Sequence, residues 1–399
     1  MILNRCRLVD VESGQVRENA SIHVEGGVIK NIQDGGTIDE KEGIDLNGLY
    51  VLPGLFNAHV HLSMVFPFSE TDLNEEPAIT SLRCYRRASD ALRAGVTTIR
   101  TVGEQHRADI ALRTMINKDW VNGARIISAG KAISVSGGHG LAPGPSLATE
   151  ANGADGFRKA ARTELASGAN HIKIFLTGGL GKIHEKLAEK QATRDEIKAA
   201  VSVASSKGTY VCAHAGDSEP IIQAVEAGIR CFEHCYNLND QAANSIRESN
   251  GYAVPTLVVT RSPDWMRANR FEEWTIEKAV GAGSTHLESI RTAVRAGVKI
   301  VNGTDMPPGD TNNGVNATVR EAEFLVDAGL SPLDALRAST INAAQLCNID
   351  DQLGLVKPGY QADLIATQDN PLDNIQNLRH IKYVMHSGRV VRNEINRSG

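Results

Sequence analysis

The chain has 399 residues, 41% hydrophobic and 22% charged, which excludes a disordered or fibrous protein and allows a sizeable core. Its 42 Lys and Arg against 47 Asp and Glu leave a formal charge of −5, which gives no electrostatic footprint for binding nucleic acid. No run of about 18 apolar residues occurs, so no membrane-spanning helix is expected.

Residues 1–53 read as short strands and turns. RCRLVDVESG, ASIHVEGGVIKNI and IDLNGLYVLPG alternate apolar and polar residues and break at Gly or Asp. The opening MILNRCRLVD has no basic segment followed by an apolar run, so no signal peptide is expected. Six scattered cysteines without a CxxC pair point to a reduced cytoplasm.

After Pro53 the pattern changes. Short β-branched runs alternate with helical text, the signature of βαβ units. The runs are GLFNAHVHL (54–62), VTTIRTVG (96–103), ARIISAG (124–130), HIKIFLTGG (171–179), TYVCAHAG (209–216), IRCFEHCY (229–236), YAVPTLVVT (252–260) and VKIVNGTD (298–305). Helical segments such as AITSLRCYRRASDALRAG and GADGFRKAARTELASGA intervene. This count predicts an α/β fold with a (β/α)8 TIM-like barrel over 54–350, although an open doubly wound sheet fits the same alternation. Residues 351–399 return to strand-like text, QADLIATQ and IKYVMHSGRVVRN. They are expected to join residues 1–53 in a small flanking β-sandwich.

Ionisable residues collect at the C-terminal ends of these runs, the face that carries active sites in such barrels. His59 and His61 are two apart on a strand, so their imidazoles point the same way and suit a borderline divalent metal. A bare HxH fits a pair of hydrogen-bonded surface histidines equally well. His214 ends the fifth run and His234 the sixth; alone, each reads as a satisfied core histidine, and together they would be costly to bury without a shared partner. Lys173 lies inside the apolar I-K-I-F. A buried ammonium is expensive, so the residue is a salt-bridged lysine, a Schiff-base lysine or a neutral amine carboxylated by CO2. Asp305 ends the last run, as a metal ligand and proton acceptor or as a helix N-cap.

The order HVH, strand Lys, HAG, EH, GTD resembles the amidohydrolase superfamily. So do VLPGLFNAHVHL, AGLSPLDALRASTINAAQL (328–346) and LGLVKPGYQADLIA (353–366). The resemblance implies two divalent metal ions, expected to be Zn2+. His59, His61 and Asp305 would hold one and His214 and His234 the other. Lys173, N6-carboxylated, would bridge them together with a hydroxide that attacks the substrate, with Asp305 carrying the proton. SGGHG (136–140), HIKIFLTGG and VPTLVVT are most similar to prolidase-like, Xaa-Arg dipeptidase and ochratoxinase-like members. This implies hydrolysis of an amide-type C–N bond in a dipeptide, an N-acyl amino acid or an aryl amide, carbamate or urea. It also implies His139 and Tyr236 as substrate-binding residues and a homo-oligomer. Cys235 stands where relatives often carry Gly, and the loop MPPGDTNNGVNATVRE holds no histidine, unlike peptidase-like members.

The alternative is a mononuclear deaminase of an aminated heterocycle. Such members typically lack the strand lysine and carry HxxE, whereas this chain has Lys173 and HAGD, with Asp217. TGGLG (177–181) lacks the ending of a phosphate-binding loop and reads as a tight turn. Residues 261–278, with two of the three tryptophans, fit either a lid over an apolar substrate group or a helix packing its rings on the barrel.

Overall fold

A computed structural model describes residues 1–35, 43–142 and 146–395. Parallel strands buried on both faces form its centre, as apolar runs without alternation require. Every residue of Leu55–Val60, Val96–Thr101 and Ile172–Phe175 is buried.

The ladders divide these strands between two parallel sheets. One joins Leu55–Val60, Val96–Thr101 and Arg125–Ile127. The other runs Ala148–Glu150, Ala132–Ser134, Ile172–Phe175, Val211–Asp217, Cys231–Asn237, Tyr252–Val254, Lys299–Ile300. Single backbone bonds connect their edges. Ala58 N–H donates to Asn302 O at 2.8 Å, Asp305 N–H to His59 O at 2.7 Å, and Asn170 N–H to Ser128 O at 2.7 Å. Gly303 makes the first of these approaches possible, since a Cβ there would lie 2.7 Å from His59 Cβ and 2.8 Å from His59 N.

Two runs are shorter as strands than their composition suggests. The seventh stops at Val254, because Pro255 has no N–H to give a ladder, and the chain turns into a 3-10 segment at Val259–Arg261. The eighth pairs only over Lys299–Ile300, after which the chain follows the first strand through the bonds above.

The chain ends meet in one eight-stranded sheet, where Leu364–Thr367 runs antiparallel to Tyr50–Pro53. This sheet encloses its own apolar core, including Leu3, Ile22, Leu364 and Met385. All six cysteines are buried and unpaired. Among the described residues no helix is long and apolar enough to cross a membrane.

Candidate metal centre

The strand ends deliver His59, His61, Lys173, His214, His234 and Asp305 to the wall of one cavity, together with His139 and Tyr236. The cavity holds about 760 Å³ of empty space, its open mouth included.

His59 and His61 do point the same way: their Nε2 atoms lie 3.5 and 3.4 Å from Asp305 Oδ1. One nitrogen each of His59 and His234 and one carboxylate oxygen of Asp305 fall within 4.8 Å of one another. The His214 and His234 ring centres are 4.5 Å apart. The backbone aims two of these groups, since His234, Cys235 and Asp305 have φ of 68°, 57° and 54°, left-handed conformations that turn the chain sharply at the strand ends.

Partners behind the rings fix which nitrogen faces the cavity. His59 Nδ1–H donates to Glu233 Oε2 at 2.6 Å, and His61 Nδ1–H to Gly103 O at 2.7 Å, so both offer the Nε2 lone pair. His214 Nε2–H donates to Gly178 O at 3.0 Å, which leaves Nδ1 as its lone pair. His234 Nδ1 shares a hydrogen bond with the Thr256 hydroxyl at 2.7 Å, leaving Nε2. Burial, and then the positive groups nearby, keep His214 and His234 well below the usual imidazole range, and burial lowers His61 to about 4. These imidazoles are therefore neutral, the form that ligates metal.

Burial alone would raise the Asp305 carboxyl, but His59, His61 and Lys173 hold it below its ordinary value. Burial likewise opposes ionisation of Glu233, yet Arg100, Lys173 and His59 pull it well below the carboxylate range. Arg100 Nη2 donates to Glu233 Oε1 at 2.7 Å, so a fully buried ion pair stands behind His59.

Four buried polar atoms on this wall have no hydrogen-bond partner: the hydroxyl of Thr275, and, at the strand ends, the set His59 Nε2, Lys173 Nζ and Asp305 Oδ1. Buried polar groups are nearly always satisfied, so this set is what a cation-binding cluster presents when protein atoms alone are considered. The donor set, neutral imidazole nitrogens with a carboxylate, suits zinc and its neighbours. An ammonium at Lys173 would repel a metal, whereas an anionic group there would attract one.

His139 lies in the loop after Ala132–Ser134, its ring centre 4.6 Å from that of His214. Its Nδ1–H donates to Glu185 Oε2 at 2.7 Å, which leaves Nε2 for a ligand. The TGGLG segment is not the tight turn its composition suggests: Thr177 bridges Lys190 in an antiparallel pair and the chain only bends at Leu180 and Gly181. The segment has a role of its own, since a Cβ on Gly179 would lie 2.3 Å from His139 Cε1. Lys278 pins this loop by donating to Gly179 O, Lys182 O and Glu185 O. Tyr236 stacks on His234 at 5.1 Å, and burial, followed by Asp305, raises its phenol well above the usual value, so it stays a donor. Asp217 is not in the cavity wall and accepts instead from Asn237 Nδ2 at 2.7 Å.

Sequence reasoning missed the supports Arg100, Glu185, Thr256 and Lys278 and the rings Phe66, Phe68 and Phe271 in the same wall, while Trp265 lies in the stretch singled out as a candidate lid. The paired phenylalanines of VFPF, shortly after HVHL, were a readable signal for two of these. Of the tryptophans in 261–278, Trp265 lines the cavity and Trp274 a neighbouring groove.

A family model described as amidohydrolase family matches residues 50–391. An ochratoxinase from Aspergillus niger is 28% identical over 366 residues, covering 84% of this chain and 74% of that protein. A solved Xaa-Pro dipeptidase with methionine in its active site superposes at a TM-score of 0.88, 29% identical, covering 98% of both chains. A prolidase complexed with N-methylphosphonate-L-proline superposes at 0.89, 28% identical, over 98% of this chain and 99% of the other.

Proposed function

The chain belongs to the amidohydrolase family and is a hydrolase of carbon–nitrogen bonds, and from that premise we propose that it cleaves an amide-type bond with a two-metal centre. The bond lies in a dipeptide, an N-acyl amino acid or an aryl amide, carbamate or urea. The observation that carries the reading is the convergence of unpartnered His59 Nε2, Lys173 Nζ and Asp305 Oδ1 beside neutral His61, His214 and His234. The two parallel sheets act as one (β/α)8 barrel that presents these strand ends to the substrate.

His59, His61 and Asp305 would hold one ion, and His214 and His234 the other. Lys173 would supply a ligand to both after its amine adds to CO2 with loss of one proton, leaving an anionic carbamate. When bound, the ions supply Lewis-acid polarisation of the carbonyl and ease the ionisation of water. Asp305, an ionised carboxylate, accepts the proton of the attacking water and returns it to the leaving nitrogen. Tyr236, a neutral phenol, donates to the substrate, and His139, oriented by Glu185, holds its other end. Glu233 and Arg100 keep His59 in the tautomer that ligates.

Purified protein, metal-loaded or chelator-treated, is assayed against anilides, N-acyl amino acids, dipeptides and aryl carbamates, with Asp305→Asn alongside. Chelator-sensitive amide hydrolysis, lost in the variant, is expected. Release of ammonia from an aminated heterocycle, without amide hydrolysis, overturns the reading in favour of a deaminase.

A further inference from the structure

Four aromatic rings close the side of the cavity next to the metal centre. Phe66 and Phe68 follow the first parallel strand, while Trp265 and Phe271 come from the stretch between Tyr252–Val254 and the helix Glu273–Ala296. The Phe66 ring centre lies 5.2 Å from that of Trp265 and 5.1 Å from that of Phe271, and Phe68 lies 5.2 Å from Phe271. These are ordinary aromatic contact distances, yet all four rings are only half-buried. Their free faces and edges are turned to the cavity, with Met64 and Met266 beside them. Thioethers adapt to irregular apolar shapes, which suits a ligand-facing wall.

The same wall is poor in positive charge. Among the described residues, no arginine lines the cavity, and its single lysine is Lys173 of the metal centre. The cations nearby are engaged elsewhere. Arg87 donates to Leu62 O and Met64 O, both at 2.7 Å, behind the Phe66 ring. Arg83 donates to Ser63 O and pairs with Glu75. Lys182 donates to Gly137 O and Gly138 O, and Lys278 to three carbonyls of the 177–190 loop. His139, the polar group opposite, already carries the Glu185 carboxylate on its Nδ1. Apart from the metal centre, which the scissile carbonyl occupies, a substrate carboxylate entering here would lose its hydration without gaining a cationic side chain.

Resting on the hydrolase reading, we propose that this enzyme takes uncharged substrates whose aryl or bulky alkyl group sits against Phe66, Phe68, Trp265 and Phe271. It discriminates against substrates with a free carboxylate beside the scissile bond. Within the range of amides above, this favours neutral amides, carbamates and ureas over dipeptides and N-acyl amino acids.

A matched pair tests the inference. N-Acetyl-2-phenylethylamine and N-acetylphenylalanine share the ring and the amide and differ by one carboxylate. The neutral twin should have a kcat/KM at least tenfold higher. Phe271→Leu, which keeps an apolar side chain, should raise KM for the neutral twin severalfold with kcat nearly unchanged. Phe68→Arg, at the half-exposed edge of the cluster, should shift the ratio toward the acid. Calorimetry on metal-stripped protein supplies a readout independent of turnover, with tighter binding of the neutral twin expected. An acid twin hydrolysed and bound as well as the neutral one overturns this inference and leaves the hydrolase reading intact. Selective binding of the neutral twin with hydrolysis of neither overturns the hydrolase reading and upholds the pocket chemistry. Binding of neither twin overturns the proposed pocket.

Discussion

Replacing Glu233 by glutamine removes one charge from a site with no exposure to solvent. Its carboxylate accepts from His59 Nδ1 at 2.6 Å, Arg100 Nη2 at 2.7 Å and Cys231 Sγ at 3.1 Å. Glutamine offers a single acceptor oxygen. If that oxygen turns to Arg100, the amide NH2 faces His59 Nδ1–H and pushes the ring proton to Nε2, where the metal lone pair should be. If it turns to His59, the buried Arg100 guanidinium loses its counter-charge. Removing one partner of a buried ion pair costs about 3–5 kcal/mol. Disturbing the group that orients a ligating histidine weakens metal binding about 10–100-fold. The assays are competition with a chromophoric chelator for metal affinity and thermal unfolding of the metal-stripped protein. Glu233→Gln should lower both, and Arg100→Met combined with Glu233→Gln should recover stability relative to the single variant, because no unpaired charge remains. A single variant with unchanged metal affinity and unfolding midpoint would refute the assignment of Glu233 as the group that orients His59.

Asp305→Asn should reduce kcat by about 100-fold or more, the usual scale for losing a positioned proton acceptor, and retention of near wild-type turnover would contradict that role. Glu104 accepts from Leu62 N–H at 2.6 Å and Ser63 N–H at 2.7 Å, fixing the chain just past His61. Glu104→Ala leaves two buried donors unsatisfied at about 1–3 kcal/mol each, so its unfolding midpoint should drop by several degrees; an unchanged melt would argue against this. Burial pushes the Glu321 carboxyl up to about 8, against about 4.3 in an unfolded chain. The stability linked to this proton is therefore complete below about pH 4 and lost as pH rises toward about 8. Glu321→Gln is neutral throughout, so its midpoint should fall less between about pH 5 and about pH 8 than that of wild type, and an equal fall would contradict the buried proton. Cys235 has φ 57°, which glycine adopts without strain, so Cys235→Gly should be more stable than Cys235→Ala in the same melt, with the reverse order contradicting strain at this position.

The ligand candidates were legible because each ends an apolar run, and the period of two put His59 and His61 on one face. Lys173 stood out by its apolar neighbours. Ring orientation was not legible, because the group behind His59 is 174 residues away. Arg100 sits in TTIRT, a pattern that fits a half-exposed strand as well as the fully buried one observed. The aromatic wall was legible only in part: the tryptophans of 261–278 marked one side, but their pairing with Phe66 and Phe68 joins two distant stretches, and the left-handed turn at His234 leaves no mark in side-chain pattern. The alternation predicted eight parallel strands, but ladder pairing depends on how far each run stays extended, and Pro255 shortened one of them.

The most direct test is elemental analysis of protein purified without chelator, for wild type and Lys173→Ala. About two divalent ions per chain in wild type, falling to one or fewer in the variant, is the result expected for a lysine-bridged pair. One ion per chain, unchanged by loss of Lys173, would contradict the two-metal hydrolase.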